Sequence, residues 1–225
     1  MRLIKMFGLA ASAAVAAMAF VGASSAMADG GNGTAICKQD ELACAAANLY
    51  PANTTVLASL LNPGLTGVGA SLLGPNLVLE VTCFQSHSKS KTLAALASPL
   101  TGHLEELSFS HCFHKTGVAC TVTINHVGEL LLLKTAANLG TATVHNVSAT
   151  VECGISPVIF RCFYKTNAMP MHALGTGLDG TAAMLVADHA ELTEEKKLTS
   201  IGCPTRGLFD GAYEILSPTP AYVSL

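Results

Sequence analysis

Two-residue alternation of apolar and polar side chains dominates the middle of the chain. Leu77, Leu79, Val81 and Cys83 fall on one face of a segment, with Val78, Glu80 and Thr82 on the other. Cys120, Val122 and Ile124 alternate with Thr121, Thr123 and Asn125; Val147, Ala149, Val151 and Cys153 alternate with Ser148, Thr150 and Glu152. Val158, Phe160, Cys162 and Tyr164 oppose Ile159, Arg161, Phe163 and Lys165. Side chains repeat every two residues along a strand, so each segment reads as a strand with one buried face. Turn chemistry at Asn62-Pro63-Gly64 and Gly74-Pro75-Asn76 punctuates them. Helical evidence is thin. Residues 181–197 contain helix formers, but two strands joined by a turn at Glu194-Glu195-Lys196-Lys197 are the preferred reading. Leu130 to Leu133 and the chain end, residues 221–225, read as covered core strands or as edges open to a partner strand; the covered reading is preferred. Both prolines of Ser217-Pro218-Thr219-Pro220 lack a ladder donor, which makes this stretch an elbow between the last two strands. The expected fold is all-β: an antiparallel β-sandwich or barrel-like domain. A short echo links Cys112-Phe113-His114-Lys115-Thr116 to Cys162-Phe163-Tyr164-Lys165-Thr166, compatible with equivalent strands of two pseudo-repeats.

The first 28 residues read differently. Arg2 and Lys5 precede an apolar, Ala-rich run that ends in small residues and Ala26-Met27-Ala28, an A-x-A site with cleavage expected before Asp29. The expected organisation is a signal peptide over 1–28 and a single secreted β-rich domain over 29–225. No later apolar run approaches the ~20 residues of a membrane-spanning helix, so no transmembrane span is expected in the mature chain. All eight cysteines follow the cleavage site, and an even number in an exported chain reads as a disulfide framework. Proximity in sequence favours Cys37 with Cys44, Cys112 with Cys120 and Cys153 with Cys162, which leaves Cys83 for Cys203. Charged residues are 12% of the chain against about 25% in an average domain, and acidic residues outnumber basic ones 15 to 12. That balance argues against nucleic acid as a partner. Half the residues are apolar, enough to form a core.

Two segments carry a recognisable pattern. Cys37-Lys38-Gln39-Asp40-Glu41-Leu42-Ala43-Cys44 is followed by Asn48, Tyr50-Pro51 and Thr54-Thr55, and the chain closes with Tyr213-Glu214-Ile215-Leu216-Ser217-Pro218-Thr219-Pro220-Ala221-Tyr222-Val223. Between them stand Val81-Thr82-Cys83, Leu107-Ser108-Phe109 leading to Cys112, and Cys120-Thr121-Val122-Thr123. Together these resemble a group of uncharacterised secreted bacterial proteins, common in actinobacteria, with a C-K-x-x-E-x-x-C opening and an S-P-T-P-x-Y-V close. The resemblance implies an extracellular β-rich domain and carries no activity or catalytic residue with it.

Candidate chemistry is sparse. Ser110-His111-Cys112-Phe113-His114, with His103 and His126 nearby, offers zinc or copper ligand types. On a strand, however, His111 and His114 point to opposite faces, and a bridged Cys112 is no ligand. No G-x-S-x-G elbow occurs, and Gly69-Ala70-Ser71-Leu72-Leu73-Gly74 has the wrong spacing. Asp188-His189 places an acid beside a histidine, but sequence adjacency alone predicts no triad. Glu105-Glu106 and Glu194-Glu195 are strand neighbours on opposite faces rather than glycosidase pairs. Gly175-Thr176-Gly177-Leu178-Asp179-Gly180 reads as a loop, not a dinucleotide fingerprint. The expectation is therefore an exported, disulfide-braced, non-enzymatic domain without a cofactor, acting in the envelope or outside the cell through protein or ligand contacts. The alternatives are a secreted hydrolase with a dispersed site and a His-rich metal-binding module.

Overall fold

The computed structural model describes residues 33–41, 43–61, 69–74, 79–136, 139–155, 158–174, 183–195 and 203–224. The expected leader over 1–28, the turns at 62–64 and 75–76, Leu77 and Val78, the loop over 175–180 and Lys196-Lys197 lie outside them. No helix occurs among the described residues, and none therefore is long and apolar enough to cross a membrane.

Fifteen strands make up the described chain: β1 (Thr34–Cys37), β2 (Thr55–Leu60), β3 (Ala70–Leu73), β4 (Glu80–Thr92), β5 (Leu96–Ala97), β6 (Leu100–His114), β7 (Ala119–His126), β8 (Glu129–Ala136), β9 (Leu139–His145), β10 (Val147–Ile155), β11 (Val158–Thr166), β12 (Met169–Leu174), β13 (Met184–Glu194), β14 (Arg206–Ser217) and β15 (Tyr222–Ser224). Several are halves of one line. β7 and β8 both pair with β6, β9 and β10 pair with β8 and β7 in turn, and β11 and β12 both pair with β13. β2 and β3 likewise both lie between β14 and β4. Joined in this way, the strands form eight antiparallel staves, each beside its neighbours in sequence. The last, β14, pairs back onto the first, β2 with β3, and closes the ring. The sheet is a closed up-and-down barrel, which leaves no free edge. Of the two architectures expected, the barrel is the one observed.

The alternation read from the sequence sorts inside from outside. Leu79, Val81 and Cys83 are buried, as are Val147, Val151 and Cys153, and Cys162 and Tyr164. Their neighbours Thr121, Thr123, Arg161 and Lys165 face outward and are exposed. Phe160 shares the register of Cys162 but is 44% exposed, because it stands beside the β10–β11 hairpin turn. Leu130 and Leu132 point inward while Leu131 and Leu133 point outward, and β6 and β9 cover both edges of β8. Residues 184–194 form one strand, so the strand reading of this region holds over the helical one. The interior is apolar, while the exterior mixes Thr, Ser, His and charged residues with exposed apolar side chains that include Phe84, Phe113, Leu133 and Leu216.

All eight cysteines are bridged. Cys37–Cys44 is as expected, but the other three expected pairs are not formed; the bridges are Cys83–Cys112, Cys120–Cys153 and Cys162–Cys203. The reason lies in the register. Cys83, Cys112, Cys120 and Cys153 stand side by side across β4, β6, β7 and β10. An antiparallel residue directs its N–H and C=O toward one neighbour, so its two flanks differ: side chains are closer across the non-hydrogen-bonded pair. The Cα separations of 3.9 Å for Cys83–Cys112 and 4.2 Å for Cys120–Cys153 mark those close flanks. A Cys112–Cys120 bridge would also leave Cys83 and Cys153 three strand spacings apart, ~14 Å, well beyond bridging distance. Four bridges suit an oxidising compartment.

The echoed pentapeptides occupy different settings. Cys112 to Thr116 runs off the end of β6 into a turn, whereas Cys162 to Thr166 lies within β11. The opening and closing motifs, by contrast, meet in space. β1 pairs with β15 on one side and β5 on the other, forming a small sheet beside the barrel. Glu41 accepts hydrogen bonds from the Ala45 N–H at 2.7 Å and the Asn48 amide at 2.5 Å. Its carbonyl accepts one from the Ser224 hydroxyl at 2.5 Å, and the Tyr50 hydroxyl donates to Pro220 O at 2.9 Å. Thr34 Oγ1 accepts the Lys134 N–H at 2.9 Å, fastening the small sheet to β8. The elbow Ser217-Pro218-Thr219-Pro220 carries the chain from β14 to this sheet, with cis bonds before both prolines.

Candidate functional site

Many inward positions carry small side chains: Ala58, Ala70, Ala142, Ala173, Ala187 and Ala190 are all buried. Small residues on facing walls of an eight-stranded barrel leave room that larger ones would fill. The lumen accordingly holds a cavity of about 120 Å³, walled by residues that include Val56, Ala58, Leu104, Leu107, Ile124, Leu130, Val144, Ala149, Met171, Phe209 and Tyr213. None of its lining residues among those described is charged. A second cavity of about 60 Å³ lies between the barrel and the small sheet, reaching Ile36, Pro218, Tyr222 and Val223. Val56, Ser90, Leu130, Leu185 and Ile215 line both, so the two are neighbours along one interior.

One wall is polar. On β4, Ser86, Ser88, Ser90 and Thr92 point inward, while His87, Lys89 and Lys91 occupy the alternate, outer positions. Ser86 shares a 3.0 Å hydrogen bond with the Tyr213 hydroxyl, and the burial of that phenol holds its pKa far above the usual range. Thr92 Oγ1 accepts the Thr54 N–H at 3.0 Å. Ser88 and Ser90 line the cavity. No motif marks these serines, yet the sequence carries a signal for them. Lysine is almost never placed inside an apolar barrel, so Lys89 and Lys91 force the hydroxyls of S-x-S-x-S-x-T inward.

The histidines named as metal candidates sit elsewhere. His103 lies in register with Lys91 on one side and Glu129 on the other. His111 stands at a kink with φ 53° and Nδ1 3.4 Å from Ser110 Oγ; His114 Nδ1 is 2.8 Å from Thr116 Oγ1. His126 Nδ1 donates to Asn146 O at 2.7 Å. They are spread along β6 and the end of β7, and among the described residues no three-ligand group includes any of them. Two groups do bring three ligand atoms together. One is Cys37, Glu41 and Cys44, whose sulfurs are spent in a disulfide.

The other is Asp188, His189 and Asp210. It is made by a break in the β13–β14 register between Ala187 and Ala190, where His189 takes φ 51°. The His189 N–H donates to Asp210 Oδ1 at 2.5 Å, and its Nδ1 lies 2.6 Å from Asp188 Oδ1 and 3.3 Å from Asp210 Oδ1. The hydrogen bond that the His189 ring donates to Asp188, then the charges of Asp210 and Asp188, raise the His189 pKa. Its ring has no hydroxyl partner among the described residues, and no free thiol exists, so no nucleophile joins this acid–base pair. The group does have a consequence for stability. A histidine whose pKa is raised by folding stabilises fully below its unfolded value, about 6.5, and loses that contribution as pH rises through the folded value. His189→Gln is therefore expected to lower the melting temperature most below about pH 6.5 and progressively less as pH rises above it; paired melting curves against pH check it.

No protein-family model matches the chain, and comparisons with curated proteins and with solved structures give no match either. The functional reading rests on the barrel and its lumen.

Proposed function

We propose that the chain is an exported, non-enzymatic binding protein that carries a small, uncharged, largely apolar molecule inside its barrel. The observation that carries this reading is the lumen itself: a closed antiparallel barrel around a cavity of about 120 Å³ with no charged residue among the described residues of its lining. Binding sites are commonly apolar hollows with a few placed polar groups, and an eight-stranded barrel is wide enough for one small ligand. A comparable apolar cavity, ~150 Å³, stays dry and accepts benzene. Export is supported by the leader-like first 28 residues, by four disulfides and by the resemblance of the opening and closing motifs to secreted bacterial proteins. Among the described residues the hydrolase reading has only the Asp188–His189–Asp210 group, which no hydroxyl or thiol joins, and no three-ligand group includes His103, His111, His114 or His126.

Toluene tests the reading. A ligand that binds only the folded state stabilises it, by about 2.7 kcal/mol at a hundred times its Kd. Toluene is expected to raise the melting temperature of the purified protein in a saturable way, and Ala149→Leu, which places a larger side chain in the lumen, is expected to abolish the rise. A melting temperature indifferent to toluene would overturn the carrier reading.

A further inference from the structure

The hydroxyls of the lumen are not all satisfied. Ser86 is paired with Tyr213 and Thr92 with Thr54, but Ser88 and Ser90, between them on the same wall, have no side-chain hydrogen bond among the described residues. Ser90 is only 7% exposed. No enclosed side-chain nitrogen or oxygen lacks a partner among those residues, so these two hydroxyls open onto the cavity they line. Buried hydroxyls in folded proteins are satisfied almost without exception, by protein, by water or by a ligand. Among the described residues no side chain pairs with them, and the residues opposite them in register, Ala58, Val56, Leu107 and Leu104, are apolar.

Resting on the reading of the lumen as a ligand site, we propose that Ser88 and Ser90 are its polar anchor and select an uncharged molecule bearing one hydroxyl or carbonyl oxygen. Two serine hydroxyls donate and accept, so they receive either group. They offer no positive charge, and neither do the other described residues of the larger cavity; Lys91 lines the smaller one, but in the larger hollow a carboxylate is desolvated without a counter-ion. Ser90 also lines the smaller cavity under the sheet of β1, β5 and β15. The ligand's oxygen thus sits at the junction of the two hollows, with its apolar body in the larger one.

Three probes of nearly one shape test this: toluene, benzyl alcohol and benzoate, titrated calorimetrically into the intact protein. Benzyl alcohol is expected to bind roughly five- to tenfold more tightly than toluene, the worth of one net hydrogen bond, and benzoate at least about a hundredfold more weakly. In Ser88→Ala/Ser90→Ala, toluene binding persists and the preference for the alcohol disappears; the single variant Ser90→Ala, with one hydroxyl left, retains a reduced preference. Equal binding of toluene and benzyl alcohol by the unaltered protein, or a preference that survives in the double variant, overturns the anchor and leaves the carrier reading standing. Tight benzoate binding overturns the exclusion of charge. Failure of all three probes to bind overturns both.

Discussion

Replacing Gly128 with alanine is expected to lower stability by about 3 kcal/mol, the upper end of ordinary overpacking, and the melting temperature by roughly 6–12 °C. Gly128 stands where β7 gives way to β8, against the junction of β9 and β10. A Cβ built on it falls 1.5 Å from the His145 carbonyl oxygen and 2.7 Å from the carbon of that carbonyl. Both atoms are backbone, so no rotamer relieves the clash. Moving the strand away breaks the hydrogen bond in which the Leu104 N–H donates to Gly128 O at 3.0 Å. Across the clash, Asn146 has φ 57°, a left-handed conformation that asparagine tolerates better than most residues. Gly117 is the control. It has φ +84° but nothing within 4 Å of a Cβ, so Gly117→Ala carries only a backbone penalty, about 1–2 kcal/mol. Denaturant unfolding under oxidising conditions separates the two, and equal losses would contradict the close approach of the staves.

Removing disulfides should give unequal effects that follow the connectivity. Cys162–Cys203 closes a span of 41 residues and Cys37–Cys44 a span of 7. On loop entropy these are worth about 4 and about 2 kcal/mol respectively, with measured values often lower. Cys162→Ala/Cys203→Ala is therefore expected to destabilise the whole barrel, since that bridge ties β11 to the segment before β14. Cys37→Ala/Cys44→Ala is expected to act locally, speeding hydrogen exchange at Ile36 and Val223 in the small sheet more than in β6 or β13. A uniform rise in exchange across the barrel in the second variant would show that the small sheet and the staves unfold as one unit.

The extent to which the fold is legible follows the range of the interactions concerned. Strand alternation is local, and the inward register of Cys83, Cys153 and Cys162 can be read by counting residues. The preference for strand over helix at 184–194 follows from the same reasoning. Closure of the ring is not local: nothing near Leu57 announces that β2 will meet β14 more than a hundred and fifty residues later. Disulfide pairing fails for a related reason. Cys112 and Cys120 are indeed neighbours across a hairpin, but each has a closer cysteine on its other flank, and those belong to strands 29 and 33 residues away. The histidines drew attention because their chemistry is versatile, yet register scatters them over the outer surface. The serines of β4 are chemically plain yet form the polar wall of the lumen, and only the lysines between them reveal which way they face.

Xenon tests the central claim most directly, since it enters apolar hollows and makes no hydrogen bonds. A crystal of the protein exposed to xenon under pressure is expected to show the atom inside the barrel, between Leu104, Leu130 and Tyr213, with the strands unmoved. A lumen filled by side chains or by a hydrogen-bonded chain of waters, with no xenon inside it, would contradict the account.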